Sequence, residues 1–233
     1  MLRAAAAKHS PLFVSFLKKT CRPLTLARSL SSLSPLENDA IAALQGRSVH
    51  VDHIDQAAVN SPGLYAIRGS QNTWDELGLG TAPDDRPLYV GKSESTFASR
   101  DVAVHFGQRK RGTQSPTGGS TLRRSLSALL AAEHGYEGIP RNPDNPGHFT
   151  NFGLSRADDD QLTDWMNRNL RIAVWPHEYA GDLDSIETQV LGEMVPPLNL
   201  NKVATPWRRQ VKDARKLLAH QARVWEASRT TET

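Results

Sequence analysis

Residues 86–93, RPLYVGKS, begin with the composition of a buried strand and end on polar groups. The run up to Tyr89 and the valine after it is typical of a β-strand, yet a glycine and Lys92 follow directly. Residues 61–67, SPGLYAI, repeat the combination, with a glycine two positions before Tyr65. This composition is unusual for a strand that only packs in a core, and the phenol and the ammonium at its end need an explanation.

The segments around these two stretches predict a small sheet with helices on its faces. LRIAVW at 170–175 supplies a third central strand, and the alternating RSVHVDHI at 47–54 predicts a further short one. Residues 69–86, rich in Gly, Asp and Pro, are predicted to be a loop. The predicted helices cover about 95–106 and begin at the capping box SPLE (34–37), at Ser120, at Ser155, at Ser185 and at Thr205.

This order of elements predicts an α+β fold, with a central three-stranded antiparallel sheet, flanking helices, and added N- and C-terminal helices. The predicted segments are a basic tail or targeting segment at 1–33, a helix and strand at 34–60, the main domain at 61–201, and a basic C-terminal helix at 202–233.

Composition narrows the classes of function. The chain has 233 residues and is long enough for a full core. Its single cysteine, Cys21, excludes an internal disulfide and a cysteine-cluster zinc site. No apolar run approaches the ~20 residues of a spanning helix, so no membrane partner is expected. Arginine outnumbers lysine 20 to 8; arginine suits phosphate recognition, although a GC-rich genome gives the same bias.

The N-terminal segment has an uneven charge. Residues 1–36 contain six Lys or Arg and no Asp or Glu. This composition is typical of a mitochondrial transit peptide, which would place the protein in the mitochondrial matrix. A disordered basic tail or an over-long start in a bacterial reading frame explains it as well, and the protein is then cytoplasmic. We favour the second interpretation slightly.

Five motifs follow one another between residues 61 and 201: GLY ending in Tyr65, YVG beginning with Tyr89, Arg100 on the following helix, Glu187 on a later helix, and PPLN ending in Asn199. Their order resembles that of the GIY-YIG nuclease family. Each motif alone is weak, and the common order carries the resemblance.

The resemblance implies cleavage of nucleic-acid phosphodiesters with one divalent ion, Mg²⁺ or Mn²⁺, held by Glu187. It implies that Tyr65 or Tyr89 activates water and that Arg100 stabilises the transition state together with Lys92. A phenol with a pKa near ~10 is mostly protonated at neutral pH. A base role therefore needs a neighbouring cation or the metal, and Lys92 is the expected cation.

Four of these residues also have ordinary structural explanations. Tyr65 and Tyr89 are aromatic residues in strands, where such side chains usually only pack. Glu187 lies on the predicted apolar stripe of its helix, where a charge without a partner is costly. The sequence DSIE (184–187) also has the form of a capping box, with Asp184 as N-cap. Asn199 either fixes the active-site backbone or phosphate, or forms a turn after two prolines. We expect Tyr65, Tyr89, Arg100 and Glu187 to converge on one concave surface.

His105 departs from the family pattern. The family often has a histidine or tyrosine four residues after the arginine, whereas here His105 comes five residues after Arg100. This shift supports a non-catalytic alternative.

The basic segment 109–126 is the expected nucleic-acid contact. Positive charge in the first turn of a helix is unfavourable, and a bound phosphate there would reverse that cost. The alternative is a solvated basic loop. The predicted contacts are Arg109, Lys110, Arg111, Arg123 and Arg124, with Gly91 admitting the substrate to the backbone. The basic C-terminal helix offers a second face, for which solvated charge is the more usual explanation.

These inferences predict a metal-dependent endonuclease that hydrolyses phosphodiester bonds of DNA. Two alternatives stay open: a non-catalytic nucleic-acid-binding module of the same fold, or an RNA-processing or organellar nuclease. The oligomeric state, the cleavage specificity and the identity of the base are open.

Overall fold

The residues described by this computed structural model, 33–50, 53, 61–94, 114–177 and 182–230, contain four strands in one antiparallel sheet. The strands are β1 (Val49–His50), β2 (Gly63–Gly69), β3 (Tyr89–Ser93) and β4 (Leu170–Pro176). The α-helices are α1 (Pro35–Gln45), α2 (Gln71–Glu76), α3 (Pro116–Gly119), α4 (Thr121–His134), α5 (Arg156–Asn169), α6 (Leu183–Met194) and α7 (Arg208–Thr230). The predicted α+β class is confirmed.

The strand order β1-β4-β2-β3 places β2 inside the sheet and β3 at one edge. Tyr65 of β2 lies opposite Gly91 of β3 on one side and Val174 of β4 on the other. The three central strands are those expected from sequence, and the short strand predicted near residue 49 adds β1 beside β4.

Strand alternation separates two apolar layers. Tyr65 and Ile67 face a layer built with α2, α4, α5 and α7, whereas Leu64 and Ala66 face a layer built with α1 and α6. The sheet therefore has helices on both faces, and a residue of β3 faces one layer or the other according to its position.

Two of the helix starts follow the predicted capping signals. At α1 the Ser34 hydroxyl accepts from Glu37 N at 3.3 Å, and the Glu37 carboxylate accepts from Ser34 N at 2.6 Å. At α4 the Ser120 hydroxyl accepts from Arg123 N at 3.1 Å. Gly135 ends α4 with a φ of 71°, a conformation that favours glycine.

The prediction that residues 69–86 form a loop is wrong in part. Residues 71–76 form helix α2, capped by the Ser70 hydroxyl. Trp74 in this helix is fully buried and lies edge-on to Trp207 at 5.6 Å between ring centroids. The local Gly and Pro content indicated a loop, but burial of Trp74 against the distant Trp207 favours the helical turn.

Within the described part of the chain, no helix combines the length and apolar character needed to cross a membrane.

Candidate functional site

The two predicted tyrosines lie together on the face of the sheet that α4 covers. The ring centroids of Tyr65 and Tyr89 are 6.2 Å apart. Tyr65 is only 2% exposed, whereas Tyr89 at the start of β3 is half-buried. Tyr89 is therefore the more accessible phenol of the pair.

Gly91 makes room for the Tyr65 phenol. A Cβ built on Gly91 would clash with Cζ and Oη of Tyr65, which lies directly across the ladder. The contact with the Tyr65 phenol therefore explains why a side chain is absent at Gly91. The sequence interpretation, in which Gly91 admits nucleic acid to the backbone, stays a prediction.

Asn199 holds the edge strand from outside. Its Oδ1 accepts from Val90 N at 2.9 Å and its Nδ2 donates to Val90 O at 2.7 Å, so the amide takes the place of a neighbouring strand. Leu198 N adds a bond to Leu88 O at 3.0 Å. Of its two expected roles, this geometry supports fixing the backbone between Tyr89 and Gly91.

Glu187 lies in a cluster of alternating charges, which we name the carboxylate–lysine cluster: Lys92, Glu94, Asp184, Glu187 and Lys202. Lys202 Nζ contacts Glu187 Oε2 at 2.7 Å and Asp184 Oδ1 at 2.6 Å. Lys92 Nζ contacts the same Asp184 oxygen and Glu94 Oε1, each at 2.8 Å. The Glu187 side chain is 11% exposed, so its ion pair with Lys202 offsets the cost of burying the charge.

The pKa shifts follow from these contacts. The hydrogen bond from Lys202, then that from Lys92, lowers the pKa of Asp184 to about 2. Hydrogen bonds to Asp184 and Glu94 raise the pKa of Lys92 well above its usual value. Burial opposes the charge of Lys202, but Asp184 and Glu187 outweigh it and raise the pKa. These three groups are therefore ionised at neutral pH.

The capping-box interpretation of Glu187 is wrong. Helix α6 begins at Leu183, and its N-cap Asp182 makes no side-chain capping bond. Glu187 therefore lies in the second turn, beyond the N3 position that a capping box requires. Its partner is Lys202, which sequence reasoning missed because nothing local links Lys202 to a helix fifteen residues earlier.

The tyrosines and Glu187 belong to opposite layers of the sheet. Tyr89 packs against the α4 side, whereas Lys92 projects toward α6 and Glu187. The two tyrosines lie together, but Glu187 lies with the other layer, so the expected convergence of Tyr65, Tyr89 and Glu187 on one concave surface is wrong for Glu187. The two groups meet at β3, where Gly91 and Lys92 are neighbours in the chain.

Lys92 is also not the cation beside the tyrosines. Its charge is shared by two carboxylates on the α6 side. Arg124 is close enough to Tyr89 that an ionised phenol would stabilise its charge. Burial lowers the pKa of Arg124 to about 10, followed by repulsion from Arg215 and Arg141. Among the described residues, Arg124 is therefore a cation near Tyr89, on the side of the sheet opposite to Lys92.

Arg123, predicted to contact nucleic acid, is fully buried, and that prediction is wrong. Its Nη2 contacts Asp159 Oδ1 at 3.3 Å and donates to Asp159 O at 2.9 Å. Asp159 also accepts from Ser115 and Thr117 hydroxyls, each at 2.6 Å. A phosphate has no access to a guanidinium enclosed in this network.

Five predicted residues lie outside the described part of the chain: Arg100, His105, Arg109, Lys110 and Arg111. Their roles stay predictions.

A second group that could hold a metal ion was missed from sequence. Ligand atoms of Glu76, Glu133 and His134 all lie within 4.8 Å of one another. The residues come from α2 and the end of α4, so docking of these helices alone brings them together. Glu76 Oε1 already accepts from Trp165 Nε1 at 2.7 Å and contacts His134 Nε2 at 3.2 Å, a role in packing that needs no ion.

Comparison with known proteins identifies a family that matches most of the chain. A family model described as a GIY-YIG catalytic domain matches residues 63–217. Neither curated proteins nor solved structures yielded a match. The matched region covers both tyrosines, the carboxylate–lysine cluster, Asn199 and the first part of α7.

Proposed function

This chain belongs to the GIY-YIG nuclease family, and we propose that it hydrolyses phosphodiester bonds of DNA with Mg²⁺ or Mn²⁺ bound at Glu187. The observation that carries the proposal is the position of Glu187, a nearly buried carboxylate paired to a lysine beside the strand that bears Tyr89.

The side chains around Glu187 fit a divalent ion. Glu187 Oε2 and Asp184 Oδ1 already share one cation, the Lys202 ammonium, at 2.7 and 2.6 Å. Carboxylate oxygens are the ligands that Mg²⁺ prefers. When bound, the ion would polarise a phosphoryl oxygen and favour ionisation of water. We propose Glu187 as the principal ligand and Asp184 as the nearest additional carboxylate.

We assign the base to Tyr89 rather than Tyr65. Tyr89 is half-buried and has Arg124 nearby, and a neighbouring cation favours the phenolate that a base requires. Tyr65 is enclosed and its phenol lies over Gly91, which suits a role in positioning Tyr89 or a water molecule. The scissile phosphate would lie across the edge of β3 at Gly91 and Lys92, between the two layers.

Lys92 acts in this scheme by holding Asp184 and Glu94 in place. The cation expected to meet the developing negative charge is Arg100, which stays a prediction from the family resemblance.

Gly91→Ala should reduce cleavage at least about tenfold, because the added Cβ displaces the Tyr65 phenol. Overpacking costs about 1–3 kcal/mol of stability, so urea unfolding is measured beside single-turnover cleavage. Gly147→Ala is the control, since nothing lies within 4 Å of its added Cβ. Equal cleavage by the two variants would contradict the role of Gly91.

The direct test of the function uses the purified chain with plasmid, branched and single-stranded DNA. We expect Mg²⁺-dependent strand cleavage that EDTA removes. Cleavage confined to a matched RNA would favour the RNA-processing alternative and contradict the DNA assignment.

Binding without cleavage would favour the non-catalytic module. One observation supports that alternative: Lys202 satisfies Glu187 and Asp184 without a metal. If neither Mg²⁺ nor Mn²⁺ elicits cleavage while DNA still binds, the nuclease proposal fails.

A further inference from the structure

A basic cavity of about 410 Å³ lies between the start of α4 and the middle of α7. Its walls include Thr121, Arg124, Asn201, Lys212, Arg215 and Lys216. We name it the α4–α7 pocket. Four of these six residues are cationic, and none is acidic.

The positive charge of this pocket is largely unbalanced. Within the described residues, Arg124, Lys212 and Arg215 make no ion pair, and only Lys216 has one, with Asp213 at 2.9 Å. Arg124 is 8% exposed; its Nη1 donates to Gly118 O at 2.6 Å and its Nη2 to Thr121 Oγ1 at 3.4 Å, whereas its Nε is buried without a hydrogen-bond partner. The Nε of nearby Arg141 is buried in the same way. Buried donors without partners are costly, and an anion would satisfy them.

The lowered pKa values of the pocket arginines also favour a bound anion. Burial, then repulsion from Arg215 and Arg141, lowers the pKa of Arg124, and burial lowers that of Arg215. These guanidiniums therefore repel one another in a partly dry site. A phosphate would reverse that cost, because its oxygens match the planar fork of an arginine.

Contacts along one short segment connect the pocket to the candidate active site. Asn199 fixes β3 through Val90, Asn201 lines the pocket, and Lys202 contacts Glu187. Arg124 lines the pocket and is also close enough to Tyr89 to interact with it electrostatically. A group bound in the pocket therefore lies on the tyrosine side of the sheet, close to where the scissile phosphate is proposed.

We propose that the α4–α7 pocket binds a phosphate of the DNA backbone. This phosphate is a different one from the phosphate whose bond is cleaved. The proposal rests on the proposed function for its choice of DNA. Three observations carry it: within the described residues Arg124 and Arg215 make no ion pair, the Nε donors of Arg124 and Arg141 are buried without partners, and Tyr89 is near. The volume lies within the range of ordinary ligand pockets and admits a phosphate with its sugar.

The test compares two charge-matched double variants of α7. Lys212→Gln with Arg215→Gln alters the pocket, whereas Arg209→Gln with Arg223→Gln removes two charges that do not line it. Affinity for a labelled DNA duplex is measured without divalent metal at several salt concentrations. We expect the pocket variant to lose about tenfold in affinity for DNA. The negative slope of its log affinity against log salt should become shallower by about 0.9 per lost phosphate contact.

The control pair should keep more affinity and a steeper slope than the pocket pair. Thermal unfolding confirms that each variant is folded, and Lys212→Gln alone, at an exposed position, serves if the double variant is not. Equal affinity and slope for the two pairs would overturn the proposal. A loss of affinity seen only with a matched RNA would also overturn it. So would stabilisation of the protein by inorganic phosphate if the pocket pair binds DNA unchanged.

This readout is independent of catalysis. If the wild-type chain fails to cleave but the pocket pair loses DNA affinity, the pocket stands and the proposed nuclease function fails. If the chain cleaves DNA while the pocket pair binds like the control pair, the function stands and the pocket proposal fails.

Discussion

Glu187→Gln should reduce metal-dependent cleavage by at least about 10²–10³-fold, the scale seen when a main transition-state stabiliser is lost. Glutamine keeps the shape of the side chain but removes the charge that would hold the ion. Lys202 then loses one of its two carboxylates and keeps the other, Asp184, at 2.6 Å. Folding should survive, because an ionised group at 11% exposure was itself costly to bury.

Glu193→Gln is the matched control, because Glu193 lies on the same helix and is exposed. It should cleave like the wild type. Both variants are compared in single-turnover assays with Mg²⁺ and with Mn²⁺. DNA affinity without metal should stay the same or rise in Glu187→Gln, since a negative charge near the phosphate has gone. Undiminished cleavage by this variant would remove Glu187 from the site.

Asp159→Ala should destabilise the fold by about 3–5 kcal/mol, because it leaves the Arg123 guanidinium buried without its counter-ion. The same change removes the acceptor of the Ser115 and Thr117 hydroxyls. These residues precede α4, so the loss should loosen the start of the helix that carries Arg124. Urea unfolding at neutral pH measures the change.

Asp160→Ala is the control for this prediction. Its carboxylate is 42% exposed and pairs with Arg156 at 3.9 Å, so its loss should cost well under about 1 kcal/mol. The double variant Arg123→Met with Asp159→Ala should lose less stability than the sum of its single variants, because no charge is left unpaired. Strictly additive losses would contradict a coupled buried pair.

Several features were predictable because they depend on neighbours in the chain. The Ser34 capping box formed where SPLE indicated it. The strands around Tyr65, Tyr89 and residues 170–175 formed because their apolar, β-branched and aromatic residues suit a sheet that is covered on both faces. The family resemblance rested on the order of motifs, which the match over residues 63–217 confirms.

The start of α4 shows what sequence could not predict. Arg123 and Arg124 are adjacent and chemically identical, but ~100° per residue turns them to different sides of the helix. Arg123 is enclosed with Asp159 of α5, whereas Arg124 faces the pocket formed with α7. The sequence indicated positive charge at this helix start and could not tell which arginine would meet a partner.

The candidate site also combines features that the local sequence determined with features that only the docking of distant elements decided. The chain by itself determined that Tyr65, Tyr89, Lys92 and Glu187 would follow one another on strands and helices of an α+β fold, since local hydrogen bonding and burial set those elements. Docking of α6 and the 199–202 segment decided that Lys92 and Glu187 join Lys202 on one layer while the tyrosines face the other. The interaction energy of two charges decreases with the distance between them. Only the tertiary structure could therefore decide which charges, distant in the sequence, would form ion pairs.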